Sequence, residues 1–91
     1  MASYIVTYDL NDPGQNYEVV LKVIKQIDGW ARLSESSYAI TSSLTPRGIY
    51  NKFKPHLDKN DQFYVIGLHK PYYGQGDKEV NDWLDNHLQT C

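Results

Sequence analysis

Apolar residues recur along this chain with two different periods, and the order of those periods predicts the architecture. Tyr4-Ile5-Val6-Thr7-Tyr8-Asp9 is rich in aromatic and β-branched residues and reads as a strand. Both parities carry apolar character, Tyr4, Val6 and Tyr8 on one face and Ile5 and Thr7 on the other, which predicts a central strand covered on both sides. The period then changes. Tyr17, Val20, Leu21, Ile24 and Ile27 recur at helical spacing opposite Glu18, Lys22, Lys25 and Gln26, so a helix runs to about Asp28. Asp12, followed by Pro13 and then Gln15, forms a capping box; Asn16 is the alternative cap, and Gly29 is a plausible stop.

Trp30–Leu33 and Ser37–Ser42 are two short strands, joined by a Ser34-Glu35-Ser36 link short enough for a hairpin. Thr45-Pro46 repeats the cap-plus-proline signal and opens a second helix with Ile49, Tyr50 and Phe53, which Pro55 ends or distorts. Gln62–Leu68 is a fourth strand, and after a loop over His69–Gly76 the stretch Asp77–Leu88 is an amphipathic helix with the stripe Val80, Trp83, Leu84, His87 and Leu88. The order βαββαβ plus a terminal helix predicts an α+β fold. Right-handed crossovers make it a ferredoxin-like sandwich: a four-stranded antiparallel sheet, first and third strands central, with two helices on one face. The expected organisation is a single domain over residues 1–91, with a core at 3–68 and the loop and helix of 69–91 appended. The second sheet face then needs a cover, which a partner subunit, the tail helix or an RNA would supply.

Composition narrows the partners. The net charge of -2 is not the basic balance of a protein that grips long nucleic acid, although a local basic patch stays open. Eight tyrosines in 91 residues suit half-wet surfaces and favour a homodimer. Tyr8, Tyr72, Tyr73 and Trp83 are the candidate interface residues, and the tail helix is a candidate docking element for a protein partner. The only cysteine is Cys91, so neither a disulfide framework nor a cysteine metal site is expected. Neither a secretory leader nor a membrane span is predicted, and the cytoplasm is the expected location.

Asp9 is the candidate for chemistry. A carboxylate delivered to the end of an apolar strand can hold a hard cation, Mg²⁺ or Mn²⁺, with Asn11 or Asp12 adding an oxygen, and in a symmetric dimer two copies would share the ion. The plainer alternative is that Asp9 accepts hydrogen bonds from amides of its own loop. His56, His69 and His87 share no ligand spacing, and His69 qualifies as a proton carrier only if it sits beside Asp9. Among the basic residues, Arg32 and Arg47 are the better phosphate ligands, because a guanidinium grips phosphate bidentately. Lys22 and Lys25 read as a solvated face, and Lys52 and Lys54 flank the second helix. Ser37-Tyr38-Ala39-Ile40-Thr41 resembles the third-strand motif of RNA-recognition modules. It lacks that motif's glycine and second aromatic, and Val6 stands where a stacking ring is wanted, so base stacking is not expected.

The residues Tyr4-Ile-Val-Thr-Tyr-Asp-Leu-Asn11, Pro13-Gly-Gln-Asn-Tyr17, Leu44-Thr-Pro46 and Lys54-Pro-His-Leu-Asp58 together resemble the CRISPR-associated Cas-two family, and more closely its SinR-like and VapD-related small bacterial branches. The resemblance spans about residues 3–68. It implies a homodimer formed through sheet faces and edges. It also implies a strand-end aspartate, matched here by Asp9 alone, proposed in some members to bind a divalent metal for nuclease activity. Other members hold DNA without cutting it, and VapD-type toxins are described as ribonucleases. The acidic balance of this chain, its Tyr/Gly loop and its Trp-containing tail helix depart from the family pattern.

Overall fold

The computed structural model describes residues 1–10 and 13–90, with the backbone alone over 13–16. The elements are β1 (Ala2–Asp9), α1 (Pro13–Lys25), β2 (Gly29–Ser34), β3 (Ser37–Ser42), α2 (Pro46–Phe53), a 3-10 turn (Lys54–His56), β4 (Gln62–Leu68) and α3 (Lys78–His87). The strands form one antiparallel sheet in the order β2-β3-β1-β4. The fold is therefore mixed α+β, with a four-stranded antiparallel sheet and three helices, one of them at the carboxyl end.

Local chemistry sets most of the boundaries. Thr45 caps α2, its hydroxyl accepting the Gly48 N–H at 3.0 Å, and Pro46 follows at the first helical position. Pro55 cannot continue an α-helix, and the chain tightens into the 3-10 turn. α1 stops at Lys25, short of the expected Asp28, because Gln26 and Ile27 donate to Val23 and Ile24, three residues back. Ile27 keeps its place against the core from this tightened turn, which is why the apolar period runs on past the end of the helix. The proposed cap Asp12 lies outside the described residues.

The core lies between the sheet and the pair α1 and α2. Tyr4, Val6 and Tyr8 of β1 pair with Ile40 and Tyr38 of β3 and with Phe63 of β4, and they pack on Val20, Ile24, Ile49 and Phe53. Phe53 and Phe63 meet at 4.6 Å between ring centroids, and Tyr8 lies between Tyr17 at 5.6 Å and Phe63 at 5.9 Å. Two expectations are corrected here. Tyr8 is 6% exposed and fills the core, so it is not part of an exposed interface. Val6, fully buried on the helix side, does not face the position where a base would stack; Ile5 and Thr7 are the β1 residues on the other face.

That other face is covered over part of its width by α3. Ser3 donates its hydroxyl to the His87 carbonyl at 3.1 Å, and Trp83 lies over Gly29, which pairs with Thr41. Ala31, Ala39 and Thr41 on this side are small and buried, which lets the helix come close. Lys70 N–H donates to Gln89 O at 2.7 Å, fastening the end of the tail next to its start. Beyond the reach of α3 the face is open. Ile5 and Thr7 are half-buried, while Tyr64 and Ile66 are 60% and 52% exposed. β1 is central, as the pattern implies, but its second face is only partly covered.

Candidate functional site

Two connections meet at the carboxyl end of β1: the turn between β2 and β3, and the entry into β4. The turn is tied to β1 by the Tyr8 N–H donating to Ser36 O at 3.0 Å and by the Thr7 and Ser37 hydroxyls at 3.0 Å from each other. Asp9 is the last residue of β1, exposed, and in register with Gln62 at the start of β4. Among the described residues no hydrogen bond or ion pair holds its carboxylate. No three His, Cys, Asp or Glu side chains gather into a metal-binding group among those residues. Asn11 and Asp12, the suggested helpers, lie outside them. Among the described residues, one carboxylate with Gln62 opposite it in the register fits a hard cation that keeps most of its waters, as Mg²⁺ and Mn²⁺ do.

The other expected site residues are dispersed. Arg32 of β2 lies across β3 from Val6 and lines a shallow depression with Tyr17, Glu35 and Ser36, at the same end of the sheet as Asp9. It is the one basic candidate from a strand that shares this end. Arg47 opens α2, just after β3 has ended opposite Ala2, so it belongs to the other end of the sheet, on the order of 20 Å from Asp9 by strand rise. His69 follows Leu68, which pairs with Ser3, and is also at the far end; it is not a proton carrier for Asp9. Lys25 lies over the Trp30 ring at 5.8 Å, a packing role rather than a phosphate contact.

Burial pushes the Tyr8 phenol up to about 12, with the neighbouring Tyr38 and Tyr17 adding to the effect and Arg32 opposing it. Tyr72 is pinned to the tail helix, its hydroxyl donating to Asp85 Oδ1 at 2.6 Å, and this bond to a carboxylate raises its pKa. Tyr73 beside it is fully exposed. Trp83 is half-buried, stacked on His87 at 4.2 Å, and used by the fold itself. Between tail and sheet runs a groove of about 430 Å³ whose apolar lining includes Leu33, Leu68, Val80, Leu84 and Leu88. The sequence pattern did not single out Tyr64 and Ile66 as exposed. Both parities of β4 are apolar; α1 and α2 take Phe63 and Val65, and α3 settles over the other strands, leaving Tyr64 and Ile66 bare.

No protein-family model matches the chain, and no curated protein is significantly similar to it. None of the described helices is long and apolar enough to cross a membrane.

Proposed function

We propose that this chain is a ferredoxin-like, Cas-two-like homodimer that engages DNA or RNA, with Asp9 positioning Mg²⁺ or Mn²⁺ against a phosphodiester for cleavage. The ferredoxin-like reading is supported by the sheet order β2-β3-β1-β4 and by α1 and α2 packing on the same face. The nuclease reading is carried by one observation: Asp9 ends a central strand as an exposed carboxylate free of partners among the described residues. A cation bound there would polarise a phosphoryl oxygen and lower the pKa of a bound water. Of the chain's own residues, Asp9 would hold the cation and Gln62 stands opposite it in the register, while Arg32, two strands away in line with Val6 and on the helix-side parity, carries a guanidinium suited to a more distant phosphate.

Cleavage of labelled single-stranded RNA and DNA in Mg²⁺ and Mn²⁺ tests this. Wild type should cut and Asp9→Ala should lose at least a hundredfold in rate. Equal cation-dependent rates in the two proteins would remove the enzyme. A second reading, a catalytically silent dimeric adaptor, is favoured by the exposed Tyr64, Ile66 and Tyr73. It predicts no cleavage by either protein and a protein partner whose binding is lost with Trp83→Ala.

A further inference from the structure

We infer that the free edge of β4 pairs with the β4 of a second copy, antiparallel about Val65, so that two sheets become one of eight strands. The inference deepens the homodimer part of the reading above and stands on the strand itself. Tyr8 N–H donates to Ser36 O, so the even-numbered residues of β1 direct their backbone groups to β3 and the odd-numbered ones to β4. Thr7 and Ile5 therefore exchange hydrogen bonds with Tyr64 and Ile66. The N–H and C=O groups of Phe63, Val65 and Gly67 are directed outward from the sheet, where β4 has no neighbouring strand among the described residues.

Native edge strands normally carry devices against pairing: a charged side chain, a proline, a bulge or a cover. β2, the other edge, has Arg32, an irregular register between Arg32 and Ser34, and α3 packed against it. β4 reads Gln62-Phe-Tyr-Val-Ile-Gly-Leu68, with no Lys, Arg, Asp, Glu, His or Pro and a regular register throughout. Because β4 is uncharged, opposing it to itself brings no like charges together. Its sequence is also complementary to itself about Val65. The outward backbone groups of Phe63, Val65 and Gly67 meet those of the partner's Gly67, Val65 and Phe63, so each bulky ring faces a glycine. Tyr64 falls opposite the partner's Ile66 in a non-hydrogen-bonded pair, where side chains approach most closely. Those are the two most exposed apolar residues of the sheet.

The contact is short. Two seven-residue strands bury less than the roughly 800 Å² per partner of a standard interface, which makes the dimer weak and concentration-dependent. The pairing also sets the two Asp9 residues about 25 Å apart by strand spacing and rise, so each would hold its own cation rather than share one.

Sedimentation equilibrium over a concentration series tests the pairing, with two double variants of equal polarity. Tyr64→Lys/Ile66→Lys places lysine opposite lysine and should weaken dimerisation at least tenfold. Tyr64→Glu/Ile66→Lys places opposite charges across the axis and should keep the dimer, weakening as salt is added. A wild type that stays monomeric near millimolar concentration overturns the inference. So does a Lys/Lys variant that dimerises like wild type, or a folded Glu/Lys variant that is as monomeric as Lys/Lys. If wild type dimerises as described but cuts no nucleic acid, the nuclease reading fails and this one stands.

Discussion

On the face covered by α1 and α2, the sheet presents Tyr4, Val6, Tyr8, Tyr38, Ile40 and Phe63, each no more than 9% exposed. On the opposite face the same strands present Ser3, Ile5, Thr7, Ala39, Thr41, Tyr64 and Ile66, and only the small residues among them are buried, under α3 and its loop. The first face spends its large side chains on packing. The second keeps two of its largest in solvent and accepts a half-buried helix over alanines, a threonine and a glycine. Stability is therefore concentrated on one side of the sheet, and surface for association on the other.

Substitutions can measure that division. Phe53→Ala, at a fully buried ring in contact with Phe63, should cost about 3–5 kcal/mol in denaturant unfolding. A comparable loss at Trp83, on the opposite face, would break the contrast. Gly29→Ala tests how closely α3 is seated. A Cβ there would meet Thr41 Oγ1 at 2.6 Å and Trp83 at 3.8 Å, and the overpacking should cost about 1–3 kcal/mol. Tyr8 offers a pH test of the packed face. Its pKa is raised from 10.0 to about 12 in the folded chain, so the folded state holds this proton more tightly than the unfolded state. The resulting stability is fully present below pH 10 and lost as pH rises towards 12, and Tyr8→Phe should flatten that part of the unfolding profile. Ile66→Ser, on the open face, should change monomer stability by no more than about 0.5 kcal/mol, and a larger loss would mean that this face is packed after all.

Much of the fold was legible because local signals agreed. β3 and β4 begin and end where their turn residues put them, and Thr45-Pro46 opens α2 as its cap chemistry requires. The end of α1 was misplaced because Ile27 keeps the helical period while the backbone has already tightened. The candidate site was less legible. Asp9 could be placed at a strand end from alternation alone. That Arg47 and His69 lie at the other end of the sheet depends on strand direction and pairing, which no single stretch encodes. Tyr8 looked like an interface residue by composition, yet its ring is closed in by Tyr17 and Phe63, one from a helix and one from the other end of the chain. The bareness of Tyr64 and Ile66 was likewise decided from a distance, by α1 and α2 taking the other parity and by α3 settling short of β4.

β3 is the one strand buried from Tyr38 to Ser42 on both faces, although its sequence, Ser-Tyr-Ala-Ile-Thr-Ser, is the plainest in the sheet. It sits between β2 and β1, under α1 and α2 on one side and α3 on the other. Hydrogen exchange should make that visible. The amides of Ala39, Ile40 and Thr41 should exchange only when the whole molecule opens, while those of Phe63, Val65 and Gly67 should exchange through small local fluctuations. Dimerisation through β4 would then appear as slowing of those three amides alone, with the clock of β3 unchanged except through mass action.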